Sequence, residues 1–332
     1  MTNENTFIPM QEAQATVPQV STGRVITPAA KVLPLAPPRA SRRSRVRAVL
    51  ATMRPKQWVK NILVIAAAGA AGALGHDDVP VRVGLACLAF CLLASGLYAI
   101  NDVRDAPEDR LHPRKRYRPV AAGELEPRLA MFLGTCLIAA GIGLSAGIRP
   151  LLALVAVGYV LLTLSYTLIW RHLLLFDIVA IAGGFVLRAV AGGVAAPVTL
   201  SRWFLMVVTC AAIFVAGGKR WGEVQRTEAT ATGTRRVLAL YTQARLKVIL
   251  AVSGMAALVA YSVWATELPT VNGIPWRPLT IAPVAVGLAR YAILLRSGGG
   301  EAPEELFLRD RILLAAGVAW LVLFAFGVHA VG

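Results

Sequence analysis

Between residues 98 and 128 the chain reads YAINDVRDAPEDRLHPRKRYRPVAAGELEPR, an acid- and base-rich stretch set between two long apolar runs. Asn101, Asp105 and Asp109 recur every fourth residue, with Asp102 beside the first, so a helix leaving a membrane span would line them along one face. Oxygen ligands in that spacing suit a hard divalent cation, and Mg2+ is the natural candidate. Arg110, Arg114, Lys115, Arg116 and Arg118 follow directly. Carboxylates holding a cation beside such a basic cluster can share the negative charge of a diphosphate, so binding of a phosphorylated donor is the expected chemistry. Basic loops also arise because Lys and Arg set membrane topology, but acids contribute little to orientation and need another reason to be there. Pro107 stands against a continuous line, because it disfavours helix at Ala106 and could separate Asp105 from Asp109.

The elements that must position these groups follow from the rest of the chain. Of its 332 residues 57% are hydrophobic and 16% charged, with a formal net charge of +16. Soluble domains carry about a quarter charged residues, so the composition is that of an all-α polytopic membrane protein. Apolar runs fall at 58–75, 80–100, 129–148, 150–169, 173–195, 203–218, 247–265, 278–295 and 311–331. Each approaches the ~20 residues that cross the hydrocarbon layer as a helix, so nine spans around a central cavity are expected. With the N-terminus inside, the outward connections hold little beyond Arg82, Arg149, Arg202 and Arg277, as the positive-inside rule requires, and the polar stretches open to the cytoplasm of a cell membrane. The charge is thereby assigned to the lipid bilayer and to anionic ligands, with no nucleic-acid partner.

Residues 1–50 are expected to be a disordered basic cytoplasmic tail, with Arg42, Arg43, Arg45 and Arg47 near anionic headgroups, and no apolar core of a signal peptide is expected in it. Residues 51–332 form the catalytic membrane domain. Cys87, Cys91, Cys136 and Cys210 lie in apolar runs without CxxC spacing and read as small buried hydrophobes. Gly183, Gly184, Gly192 and Gly193 let helices approach closely and permit a homo-oligomer without requiring one. Arg188, inside a span, meets either a structural partner or a lipid headgroup and is left outside the core site.

Three further clusters fall on the inward side. RPKQWVKN brings Arg54, Lys56, Gln57, Lys60 and Asn61 to the mouth of the first span. Tyr166, Arg171 and Asp177 flank the fourth turn, and Lys219, Arg220 and Glu223 end the sixth span. Any one Lys or Arg could be snorkelling; four clusters on one face of one bundle are better explained by a shared anionic ligand.

The NDxxDxxxD pattern at 101–109, followed by RPVAAG at 118–123, resembles the first aspartate-rich motif of the UbiA superfamily of intramembrane prenyltransferases. The nearer match is its decaprenyl-phosphate phosphoribosyltransferase branch, carried by RPKQWVKN, NDVRDAPEDRLHPRKRYRP, LRAVAGGVA with SRWF, GKRWGE and APEELFLRDR, from about residue 52 to the C-terminus. The resemblance implies a UbiA-type bundle of nine spans, Mg2+, and transfer of a 5-phosphoribosyl group from phosphoribosyl diphosphate (PRPP) to decaprenyl phosphate, feeding the lipid-linked arabinose donor of cell-wall arabinan. Ordinary members hold a prenyl diphosphate through two Asp-rich motifs; here the second position reads KRWGEVQR, whose basic residues suit a donor carrying a further phosphate.

On this reading Asn101, Asp102, Asp105 and Asp109 are the metal set, with Asp105 and Asp109 catalytic through it and Lys60 and Arg118 catalytic on phosphate. Gln57, Asn61, Arg114, Lys115, Lys219 and Arg220 complete the anion-binding side, with Tyr166, Arg171, Asp177 and Glu223 as second choices for substrate binding, the acids holding ribose hydroxyls or orienting bases. The lipid phosphate is already ionised, so no general base is needed, and His112 and His172 are assigned none. The rivals are a prenyltransferase acting on an aromatic acceptor and an organic-anion transporter; the paired interrupted helices of a transporter repeat are not found.

Overall fold

The computed structural model describes residues 42–76, 78–169, 176–230, 242–267, 274–297, 306 and 309–329, all within one compact unit, Arg39–Gly332. The chain runs α1 (Arg42–Met53), a 3-10 segment (Pro55–Asn61), α2 (Ile62–Ala70), α3 (Val79–Leu111), α4 (Pro127–Ile148), α5 (Pro150–Leu168) and α6 (Phe176–Ala195). It continues through α7 (Arg202–Thr230), α8 (Gln243–Thr266), the short α9 (Trp276–Leu279) leading into α10 (Ile281–Arg296), and α11 (Arg311–His329). Seven stretches, α3 to α8 and the α9–α10 pair, are long and apolar enough to cross a membrane, and α11 carries a shorter apolar run, Arg311–Gly327. The protein is a multi-pass membrane protein.

The α3 span is 61% buried against 17 to 56% for the other six, which makes it the central post of the bundle. Around it Phe90, Leu93 and Leu97 pack with Val64, Leu152 and Tyr159. A second core joins Phe214 and Trp221 of α7 to Leu246, Tyr291 and Leu295. Small residues set the spacing: a Cβ on Gly96 would come 2.6 Å from the Gly134 carbonyl oxygen, so α3 and α4 touch backbone to backbone. Gly192 plays the part expected of it, since a Cβ there would collide with the Val64 carbonyl of α2.

Three expectations change. Helix begins at Arg42, within the stretch expected to be tail, because Ala48 and Thr52 of α1 are buried and Ala48 packs on Ala106, Val120 and Leu125. The first apolar run is not one helix. Arg54, held out of the right-handed helical region by Pro55, takes the left-handed one, φ 53° and ψ 60°, and α1 stops. The following seven 3-10 residues and nine of α2 rise together about 27 Å, close to the thickness of the hydrocarbon layer, because the 3-10 form is the more extended. Pro107 does not break α3, which continues to Leu111 as one 33-residue helix. At about 50 Å it outreaches the ~30 Å hydrocarbon core, and its last turns carry the Asn101–Asp109 motif beyond the apolar layer.

Candidate active site

At the end of the bundle where α3 finishes, Asp102 and Asp109 lie two turns apart on one face of the helix, 1% and 3% exposed. Arg118, delivered by the short turn Lys115–Tyr117, sits between them: Nη1 donates to Asp109 Oδ2 at 2.6 Å and lies 3.4 Å from Asp102 Oδ1. From the other side Arg54 donates to Asp102 Oδ1 and stacks 4.9 Å over the Tyr98 ring. The arginine side chains are 26% and 27% exposed, so the cations face an opening while the acids sit behind them. Buried carboxylates need such partners, and each arginine keeps donors to spare for an incoming anion. Asn101 Oδ1 is buried with no hydrogen-bond partner among the described residues, a cost of ~1–3 kcal/mol that a cation or a donor would remove. Asp105, between them on the helix, is half-buried.

The loop after α3 is pinned under this cluster. Arg110 Nε donates to the Ala121 carbonyl at 3.3 Å, and Val120 and Leu125 are buried beneath α1. His112 Nδ1 accepts from the amides of Arg114 and Lys115, both at 3.2 Å. Burial, and then the neighbouring Lys115, hold its pKa below the ordinary value, as an acceptor imidazole requires. Arg114 and Arg116 are exposed, and Lys115 is half-buried.

A second charged cluster joins α6 and α7. Asp177, in the first turn of α6, lies with Oδ2 2.5 Å from Arg220 Nε, and Arg220 also donates to Glu223 one turn on. Tyr166, at the end of α5, is in electrostatic range of Arg220. Between them on α3, Arg104 donates to the carbonyls of Thr167 and Leu168, a cation on the C-terminus of α5.

Several expected roles are redistributed. Arg220, 5% exposed, is held between two carboxylates, and Lys219 beside it is exposed. Asn61 is fully buried, accepting from Arg188 Nε at 2.7 Å and donating to Cys91 Sγ at 3.1 Å. Arg188 completes its set with the Gly184 carbonyl and the Tyr159 hydroxyl, at 2.9 and 2.7 Å, so its partners are structural and neutral. Gln57 and Lys60, on the 3-10 segment, are half-buried near that layer. Among the described residues no three Asp, Glu, His or Cys side chains surround one point: helical spacing lays the acids in a line, and Arg118 fills the gap between Asp102 and Asp109. Arg171 and His172 lie outside the described residues. Arg104 is the participant that spacing did not single out, and a base inside the acidic motif, as in NDVRD, was the available signal for it; Arg54, expected at the mouth of the first span, joins the acidic motif itself.

A multi-pass bundle with buried acids behind half-exposed arginines at one end is the build of an integral membrane transferase that handles phosphorylated substrates. The UbiA prenyltransferase family profile matches residues 62–315, and the chain belongs to that family. It is 38% identical over 287 residues to the decaprenyl-phosphate phosphoribosyltransferase of Corynebacterium glutamicum, covering 85% of this chain and 86% of that one. It is 37% identical over 288 residues to the protein of the same name from Mycolicibacterium smegmatis, covering 83% and 91%. Its fold is that of a UbiA homolog from Archaeoglobus fulgidus bound to GPP and Mg2+, with a TM-score of 0.64 at 16% identity over 86% of this chain and 99% of that one.

Proposed function

We propose that the protein transfers the 5-phosphoribosyl group of PRPP to decaprenyl phosphate, releasing diphosphate, at the cytoplasmic face of the cell membrane, as a step toward the lipid-linked arabinose donor. The relatives' shared name supports the substrates. The observation that carries the reading is the fate of the two acidic positions: Asp102 and Asp109 sit beside arginines open to a ligand, whereas Asp177 and Glu223 are committed to Arg220. A site built around two metal-loaded carboxylate motifs would need the second pair as open to a ligand as the first, and Arg220 is 5% exposed against 26% and 27% for Arg54 and Arg118. A donor with one diphosphate and a separate 5-phosphate needs one metal-binding side and one basic side, here Lys219 and Lys60.

The residues suit Mg2+, which takes one or two carboxylates and completes its octahedron from water and substrate phosphate instead of from an all-protein cage. Asp102, Asp109 and the orphaned Asn101 Oδ1 would hold it, with Asp105 beside them. When bound, it supplies charge that stabilises the departing diphosphate. Arg118 and Arg54 exchange carboxylate for diphosphate oxygens as the donor arrives, leaving the acids free for the cation. The C1–oxygen bond to diphosphate breaks while a lipid-phosphate oxygen bonds to C1 from the opposite face, and no proton moves. Positioning and charge account for the rate.

Membranes containing the protein, given Mg2+ and decaprenyl phosphate with ribose-labelled PRPP, should transfer label into lipid. Label moving instead from a prenyl diphosphate onto an aromatic acceptor would replace this reading with ordinary prenyl transfer, and flux of PRPP across liposomes without transfer would replace it with an organic-anion transporter.

A further inference from the structure

Arg188 of α6 is a cation inside a membrane span, 6% exposed, and among the described residues its hydrogen-bond partners are all neutral. We propose that Arg188 is a positioning residue for the donor: through Asn61 it holds the Pro55–Asn61 segment in its 3-10 form, and that form sets Gln57 and Lys60 in one row for the donor's phosphate. The assignment rests on the reading of the donor as PRPP.

A charge at membrane depth is costly, so its presence calls for a task. Direct contact with a ligand at the charged end is not that task. Eleven residues of α6 separate Arg188 from Asp177, and eleven of α3 separate Cys91, in the same layer as Arg188, from Asp102, about 16 Å of helix in each case. What the guanidinium does is span three elements. Nε donates to Asn61 Oδ1 at 2.7 Å, Nη1 to the Gly184 carbonyl of its own helix at 2.9 Å, and Nη2 to the Tyr159 hydroxyl of α5 at 2.7 Å. Its central carbon lies 4.7 Å over the Tyr159 ring. The planar fork of arginine meets such acceptors in fixed directions, whereas lysine brings a single point charge. Arginine has no acceptor, so the Asn61 amide oxygen must face it, and the amide nitrogen is thereby aimed at Cys91 Sγ of α3, 3.1 Å away.

The segment needs that hold. Seven residues exceed the three or four over which the 3-10 form is usually sustained, because its hydrogen bonds are poorer than those of an α-helix. With three residues per turn, side chains three apart eclipse, and the segment divides into rows. Trp58 and Asn61 make the inner row, and both are tied to α3. Trp58 Nε1 donates to Ser95 Oγ at 3.0 Å, and Ser95 shares its own proton between the carbonyls of Met53 and Cys91, at 3.0 and 2.7 Å. Lys56 and Val59 make the exposed row, and Gln57 and Lys60 the half-buried row between. The Gln57 amide donates to the Arg54 carbonyl at 2.8 Å, so the segment starts at the residue that holds Asp102. An α-helix would turn Lys60 about 60° away from Gln57 and break the row. Asn61 is the last residue of the segment, so Arg188 anchors the end that bears Lys60.

The test uses the full chain in proteoliposomes and follows two readouts, hydrogen exchange of the Gln57–Asn61 amides and transfer kinetics. Arg188→Met should speed that exchange at least about tenfold and raise KM for PRPP at least about tenfold, with kcat and KM for decaprenyl phosphate within about threefold of the parent. Arg188→Lys should match Arg188→Met, because a point charge does not replace the fork. Asn61→Leu should give the same rise, and the double variant Arg188→Met with Asn61→Leu should be no more than about twofold worse than either single, since both cut one link. Trp58→Phe, which removes one donor and keeps a ring in place, carries the test if Arg188→Met does not fold: it should raise KM for PRPP about threefold with faster exchange at the same amides. Unchanged exchange, a fall in kcat with KM unchanged, parental behaviour of Arg188→Lys, or a double variant in which the two rises multiply would overturn the assignment. The expected exchange pattern without any ribosyl transfer by the parent would instead overturn the proposed reaction and leave the hold of Arg188 on the segment standing.

Discussion

Asp177→Asn isolates what Arg220 does. In the parent, Arg220 is shared by Asp177 and Glu223 at 5% exposure, and Asp177 is itself 2% exposed. Removing one partner of a buried pair leaves an uncompensated charge and costs ~3–5 kcal/mol. Glu223 stays on Arg220 and is 25% exposed, so part of the compensation survives and the lower end, about 3 kcal/mol, is expected. For a chain of 332 residues that is about 4 °C of thermal midpoint, read by a fluorescence melt in detergent micelles. The double variant Asp177→Asn with Arg220→Met removes the stranded charge and should recover most of the loss, because an apolar replacement for a buried pair is often neutral. Transfer activity should remain low in the double variant, since Tyr166 loses the cation in electrostatic range of it. A midpoint within about 2 °C of the parent for Asp177→Asn, or a double variant no more stable than the single, would refute the buried-pair account.

Other outcomes follow from the same geometry. Asp102→Asn and Asp109→Asn should each lower turnover at least about a hundredfold while the protein still inserts and folds, because Arg54 and Arg118, 26% and 27% exposed, keep water as a partner, and chelation by EDTA should abolish transfer until Mg2+ is restored. Arg54→Gln leaves Asp102 with Arg118 alone; PRPP affinity should fall about tenfold, measured by KM at fixed acceptor. Gly96→Ala drives a methyl against the Gly134 carbonyl and should cost ~1–3 kcal/mol, seen as a lowered melt and poor membrane yield. Asp310 accepts from Arg290 and from the amides of Ile312 and Leu313, and the Arg290 hydrogen bond foremost holds its carboxyl below the usual range. A depressed carboxylate contributes above its unfolded pKa and loses that contribution as pH falls through the lower folded value. Amide exchange at the start of α11 should therefore quicken only on acidification below the ordinary carboxylate range, and Asp310→Ala should remove that pH dependence.

Hydropathy alone determined that this chain crosses the membrane repeatedly, because apolar runs of span length have no other stable place in water or lipid. Residue types in the 101–118 stretch made phosphate and a cation the expected ligands, and the long motifs identified the family. Register along α3 was legible in part: spacing put Asn101, Asp105 and Asp109 on one face with Asp102 beside it, whereas the unbroken helix brings Asp102 and Asp109 together at Arg118. What sequence could not supply was the pairing between elements. Whether Arg220 meets a ligand or Asp177 depends on how α6 and α7 pack, and whether Asn61 opens to the site or turns to Arg188 depends on a 3-10 segment started by one left-handed residue. Local periodicity places a side chain on a face of its own helix. Only the packing of the whole bundle decides which neighbour that face meets, and hence which charges are spent on structure and which stay available to a substrate.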